Sequence, residues 1–206
     1  AAGQAPAQLQ GTRLTYLQWV NFVPAHDAAL KKQIAEFEKQ SGAKVAFETI
    51  NMNDIQARTT VAIESKAGPD IIQLAHNWPH LYEAGLEPVD DLAEELGRKG
   101  EGYYDLPKSH GFVNGRWRAV PHSIVSPAPT YRTDWFKEVG YEKFPDSWEG
   151  YREAGKKLKA NGHPIGQALG HSIGDPPIFC YAGLWAFGAK EVEADGKTVA
   201  LDSQET

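Results

Sequence analysis

LTYLQWVN at residues 14–21, AALKKQIAEFEKQSG at 28–42 and KVAFETI at 44–50 read in order as strand, helix and strand. The first piece is apolar and aromatic and is closed by turn-forming Asn21, as a buried strand would be. In the second, Leu30, Ile34 and Phe37 recur at helical spacing and share one face, and Gly42 stands where a helix C-cap takes left-handed backbone. The third is rich in Val, Phe and Ile. Together they form a βαβ unit whose two strands are expected to pair in parallel.

The same rhythm continues downstream. Asp54 is placed to cap a helix carrying Ile55, Ala62 and Ile63, Gly68 and Pro69 stop it, and residues 70–74 read as a short strand. A helical turn is expected within 76–85. Asp91 opens another helix around Leu92 and Leu96, and the run to Leu106 reads as polar surface. Asn114-Gly115 is a two-residue hairpin signal leading into 116–120. Residues 121–131 read as an extended crossover, because Pro127 and Pro129 remove ladder donors and stiffen the backbone.

Beyond the crossover, Thr133 is placed to cap a short helix ending at Gly140. Asp146 and Glu149 suit a capping box for a helix at 148–160, with an inner face of Trp148, Tyr151, Gly155 and Leu158. Residues 164–169 resemble a strand, 176–187 a buried helix, and Asp195-Gly196 a hairpin turn into 199–201. Residues 203–206 look like the capped start of a further helix, as if the chain stopped early. The expected division is a flexible N-terminus at 1–12, a first lobe at 13–120, a hinge at 121–131 and the first part of a second lobe at 132–206.

Composition narrows the function classes. The chain has 206 residues, 41% of them hydrophobic and 23% charged, which is enough for one large or two small cores. Its formal net charge of -6, with Lys and Arg scattered among acids, leaves no basic stripe for nucleic acid. No apolar run is long enough to span a bilayer. The single cysteine, Cys180, rules out an internal disulfide and a cysteine zinc cage, and reads as a small buried hydrophobe. Residues 1–10 are small, polar and uncharged, like the leader left after signal-peptide cleavage.

Catalytic signatures are missing from the sequence: there is no G-x-S-x-G elbow, no Walker loop and no G-x-G-x-x-G after a strand. His76 and His80 have the spacing of a zinc pair, but Pro79 lies between them and Asn77 stands where a zinc helix carries Glu, so no metal and no cofactor is expected. His163, His171 and Asp175 offer a conceivable acid/base set without a nucleophile beside it. More distinctive are Trp19, Asn21 and Phe22 after the first strand and His76, Asn77 and Trp78 after the short one. Loops beyond parallel strand ends converge on ligand crevices. Rings there offer flat apolar faces, and Asn and His offer oriented hydrogen bonds, the combination that holds a polyhydroxylated molecule. Trp19 itself reads as core.

Gly68-Pro69-Asp70-Ile71-Ile72 followed by Ala75-His76-Asn77 resembles the extracellular solute-binding proteins of ABC importers, the group that includes the maltodextrin-binding type. Phe37-Glu38-Lys39-Gln40-Ser41-Gly42, the Asn114-Gly115 hairpin reaching Val120-Pro121, Tyr131 and Pro145-Asp146-Ser147-Trp148-Glu149 are similar too, and in family order. The resemblance implies a two-lobed periplasmic-binding-protein-like α/β fold, each lobe a mainly parallel sheet flanked by helices, with the second lobe and part of the first incomplete here. It implies an exported, periplasmic, monomeric receptor that closes on a small solute, most simply a sugar, and passes it to a membrane permease without chemistry. The residues it carries over are Asn21, Phe22, His76, Asn77, Trp78, His122, Ser123, His171 and Asp175. Val125 and Leu74 depart from the maltodextrin type, where an acid and an aromatic stand, which points to a smaller solute. The rival readings are a carbohydrate-active hydrolase using His171 and Asp175 or a carboxylate pair, and an interaction module with no small ligand.

Overall fold

A computed structural model describes residues 9–124 and 128–204. The chain divides into two compact units, Ala1–Ile124 and Val125–Thr206. The expectations for Val125, Pro127, Glu205, Thr206 and the first eight residues lie outside the described residues.

The first unit is built on β1 (Arg13–Trp19), α1 (Pro24–Ser41), β2 (Lys44–Ile50), α2 (Met52–Ser65) and β3 (Ile71–Ile72). The strands form one parallel sheet in the order β2-β1-β3, with Arg13 opposite Lys44, Trp19 opposite Ile50 and Leu17 opposite Ile72. The first crossover runs from β1 to β2 and the second returns from β2 past β1 to β3, so a shared right hand puts α1 on one face of the sheet and α2 on the other. Burial agrees: Leu17 and Gln18 are consecutive and face opposite sides of β1, yet are 0% and 1% exposed. Gly42 closes α1 at φ 72, donating its N–H to the Glu38 carbonyl, as the sequence predicts.

Then follow α3 (Trp78–Leu81), a 3-10 turn (Glu83–Gly85), α4 (Asp90–Lys99), α5 (Asp105–Gly111), β4 (Phe112–Val113) and β5 (Arg116–Trp117). Asn114 and Gly115 turn the β4–β5 hairpin with φ of 50 and 82, the left-handed pair that the Asn-Gly signal requires. Three expectations are corrected in this unit. The cap of α2 is Asn51, whose side chain accepts from the Asn53 N–H, because it sits one residue before the helix while Asp54 lies inside it. Helix α4 starts at Asp90 and buries Ala93 and Gly97, leaving Leu92 and Leu96 half exposed: Tyr103 packs across Gly97 and bonds the Ala93 carbonyl, so the small face is the inner one. Helix α5 overlaps the end of the stretch read as surface, where Asp105 and Leu106 are exposed as expected. The strand after the hairpin stops at Trp117.

The second unit holds α6 (Thr133–Glu138), α7 (Trp148–Ala160) and α8 (Asp175–Ala186). Phe136, Ala154 and Leu158 form its buried cluster, ringed by Tyr131, Trp135, Val139, Tyr141 and Phe144. Ser147 caps α7 by accepting from the Gly150 N–H at 3.1 Å, so the expected Asp146 cap is off by one residue. Arg132 occupies the N-cap of α6, with Thr133 its first residue. Residues 164–169 form no strand, because a strand needs a ladder partner and among the described residues this unit offers only the Val192–Val199 bridge. Helix α8 forms, yet Ile178, Tyr181 and Trp185 are 41%, 40% and 61% exposed, and Cys180, expected to be buried, is exposed as well.

Candidate functional site

Parallel pairing of β1 and β3 brings the loops after both strands to one edge of the sheet. The first loop runs from Val20, whose N–H donates to the Ile50 carbonyl at 2.9 Å, to the start of α1. Asn21 turns it, accepting the Val23 N–H on Oδ1 at 2.9 Å, a local turn that short polar side chains favour. Phe22 stands out from this turn, 84% exposed. His122 is exposed and meets His26 of α1 edge to face, with ring centroids 5.7 Å apart, which brings the crossover residue to the first turn of α1.

The second loop follows β3. Gln73 donates its N–H to the Leu17 carbonyl, while its side-chain Oε1 is buried without a protein partner. His76 is exposed with left-handed backbone at φ 47, a conformation in which a β-branched side chain would be strained, and Asn77 beside it is exposed too. Burial, and then the neighbouring His76 and His80, lowers the pKa of His110, so these three histidines share one neighbourhood. His80 Nε2 lies 2.7 Å from the Ser109 carbonyl, which ties α3 to α5 rather than leaving both ring nitrogens for a metal.

Trp78 needs correction as a stacking platform. It is 8% exposed, because a four-residue helix against α5 and β4 has little else to bury. Ser123 is exposed beside His122. In the second unit, His171 lines an open cavity of about 380 Å3 with Ser172, Pro176, Cys180 and Tyr181. Asp175 begins α8, and its side chain lies outside the described set. His163, the other half of the conceivable acid/base set, is stacked on Trp135 at 3.9 Å. Among the described residues no group of three or more His, Cys, Asp or Glu is arranged to hold a metal ion.

Sequence reasoning overlooked His26 and Asp27. The signal for Asp27 was present in Gln18, a polar residue inside an apolar strand, which must have a buried partner.

The first unit is a parallel α/β unit with exposed ring and amide groups, Phe22 and Asn77, in the loops beyond its strand ends, the edge at which such sheets open crevices. Residues 23–206 match the family of bacterial extracellular solute-binding proteins, and the chain belongs to that family. It is 27% identical over 146 residues to the diacetylchitobiose binding protein DasA of Streptomyces coelicolor, covering 68% of this chain and 34% of that protein. Among solved structures it is similar to maltose-bound MalE3 of T. maritima, with a TM-score of 0.70 and 24% identity over 95% of this chain and 50% of that one. It also resembles the GacH receptor of Streptomyces glaucescens, solved unliganded and with acarbose, with a TM-score of 0.71 and 19% identity over 94% and 49%. The chain thus spans about half the length of these solved relatives and about a third of the curated one. These relatives are binding proteins, and the family is one of exported proteins.

Proposed function

We propose that this chain is part of the substrate-binding component of an ABC importer and takes up a small, uncharged, hydroxyl-rich solute, most simply a sugar. The observation that carries this reading is the first loop: an 84% exposed ring at Phe22 beside the turned amide of Asn21. A ring stacks on the apolar face of a sugar, and amides and imidazoles bond its edge. Asn21, Phe22, His76, Asn77, His122 and Ser123 supply such groups in the first unit; in the second unit, taken by itself, His171 and Asp175 remain the candidates. The names of the relatives, which include binders of diacetylchitobiose and maltose, support the choice of a sugar.

The protein is proposed to act in the periplasm after removal of a signal peptide, as a monomer, and to hand the unchanged solute to a membrane permease. Desolvated hydrogen bonds would set the selectivity, since a wrong solute leaves buried polar groups unpaired.

Isothermal titration of the chain with maltose, diacetylchitobiose and a panel of monosaccharides tests the reading, with products analysed after incubation. Saturable binding with the sugar recovered intact is expected. Release of hydrolysis products, or no binding across the panel, would overturn it.

A further inference from the structure

Gln18 stands in the apolar run of β1 and is 1% exposed, so each end of its amide needs a partner. Tyr16 donates its hydroxyl to Gln18 Oε1 at 3.2 Å, and Gln18 Nε2 donates to Asp27 Oδ1 at 3.1 Å. The other carboxylate oxygen of Asp27 accepts the Asn21 N–H at 3.3 Å. Asn21 in turn spends its own Oδ1 on the Val23 N–H. A chain of hydrogen bonds thus runs from inside the sheet to the first loop. Burial raises the Tyr16 pKa, which keeps the hydroxyl protonated and able to donate at the head of this chain.

The polarity of the chain has a consequence at its exposed end. With Oδ1 of Asn21 committed to the backbone, Nδ2 is the side-chain atom left over, and it has no partner among the described residues. An amide held this way turns its oxygen, with one lone pair still free, toward the backbone and leaves both N–H donors of Nδ2 without a partner among the described residues.

We propose that Asp27 is a positioning residue for the solute site: through Gln18 and the Asn21 N–H it fixes the first loop so that Asn21 anchors its oxygen in the turn and presents its two N–H donors, favouring a solute with an acceptor oxygen at that point. The inference rests on the solute-binding reading above. Asp27 itself touches no solute; it acts through Asn21 and through the exposed ring of Phe22.

The test compares Asp27→Ala, Asp27→Asn and Asn21→Asp in the full chain, by amide hydrogen exchange, thermal melting and titration with maltose and diacetylchitobiose. In Asp27→Ala the Asn21 and Val23 amides are expected to exchange about tenfold faster, and sugar affinity to fall about tenfold, the effect of losing one buried hydrogen bond. Asp27→Asn retains an oxygen for the Asn21 N–H if Gln18 turns its amide over and Tyr16 accepts instead of donating. Exchange and affinity are therefore expected to return to within about threefold of the parent, a rescue of about 0.7 kcal/mol or better. Asn21→Asp keeps the Val23 bond but replaces the donor with an acceptor; its loop exchange should match the parent while sugar affinity falls about tenfold or more.

Parent-like exchange at Asn21 and Val23 in Asp27→Ala would overturn the positioning role, as would fast exchange with parent-like affinity. Should Asp27→Ala fail to fold, loop exchange in Asp27→Asn more than about threefold faster than in Asn21→Asp would overturn the stated rescue and with it the positioning role. Should the parent bind neither sugar, the solute-binding reading fails on its own, and the exchange data alone decide whether Asp27 holds the loop.

Discussion

Phe22 and Asp70 lie at the same sheet and answer to opposite forces. With its ring 84% exposed, Phe22 contributes little to folding, so its removal separates binding from stability. Phe22→Ala is expected to leave the melting temperature of the empty protein unchanged and to weaken sugar binding about tenfold, the worth of roughly one stacked ring; a matching loss in melting temperature would mean that the ring is structural. Asp70 does the reverse. Its carboxylate accepts the Thr15 N–H at 2.7 Å and the Thr15 hydroxyl at 2.8 Å, and Thr15 Oγ1 accepts the Asp70 N–H in return. The Thr15 backbone bond first, and then its hydroxyl bond, holds the Asp70 pKa below the usual carboxylate value. A lowered folded pKa adds stability above the unfolded value of 3.8, and that stability is lost as pH falls through the folded value. Asp70→Asn is therefore expected to lower the melting temperature at neutral pH, by about 1 kcal/mol of stability at most for so exposed a group, and to narrow the gap from the parent in melts below the ordinary carboxylate range. A gap that is constant with pH would show that the charge is idle. At this scale the sequence was a partial guide. Asn21, Phe22, His76 and Asn77 could be placed at strand ends because parallel pairing fixes that edge. The burial of Trp78 could not be foreseen, since a tryptophan opening a short helix is equally apt to stack on a solute or to anchor the helix, and only the position of α5 and β4 decides between the two.

Elements were legible where local chemistry and tertiary packing agree. Strand β2 spans the predicted residues 44–50 and α7 the predicted 148–160, each bounded by turn or cap residues that no tertiary contact overrides. Helix α5 escaped notice because Pro107 and Gly111 sit within seven residues. A proline in the first turn costs a helix nothing, since the N–H it lacks would have had no partner there. The caps offer the sharper test. Ser147 and Asp146 are adjacent and both are common cap residues, yet only Ser147 bonds the Gly150 N–H. Ser147→Ala is expected to destabilise the second unit by about 1 kcal/mol, and Asp146→Ala by less than about 0.5 kcal/mol, in urea melts followed by circular dichroism. The opposite order would return the cap to Asp146. Leu158→Ala, which empties a site only 1% exposed beside Phe136 and Ala154, should cost about 2–4 kcal/mol in the same assay.

On the scale of the whole chain, the informative mismatch is in α8. Its sequence, DPPIFCYAGLWA, is apolar on every side, the pattern of a helix surrounded by protein. Around it, Leu169, Ile178, Tyr181, Trp185 and Phe187 are between 40% and 67% exposed, and the Tyr181 and Trp185 rings stack on each other 5.7 Å apart at 10°. The sequence could give the helix but not its cover, because periodicity reports how much of a surface wants burial and says nothing about what is present to bury it. An apolar face left open in this way binds hydrophobic dyes. The chain is expected to enhance 8-anilinonaphthalene-1-sulfonate fluorescence under native conditions while keeping the near-ultraviolet circular dichroism of packed aromatic rings, which separates an open face from a molten state. Trp185→Gln should reduce the enhancement, because it removes the largest exposed ring of the helix while its amide can still donate toward Glu191, the present partner of Trp185 Nε1 at 3.2 Å. Unchanged dye fluorescence in Trp185→Gln would show that the dye binds elsewhere, and loss of the near-ultraviolet signal in the parent would show that the second unit is not packed.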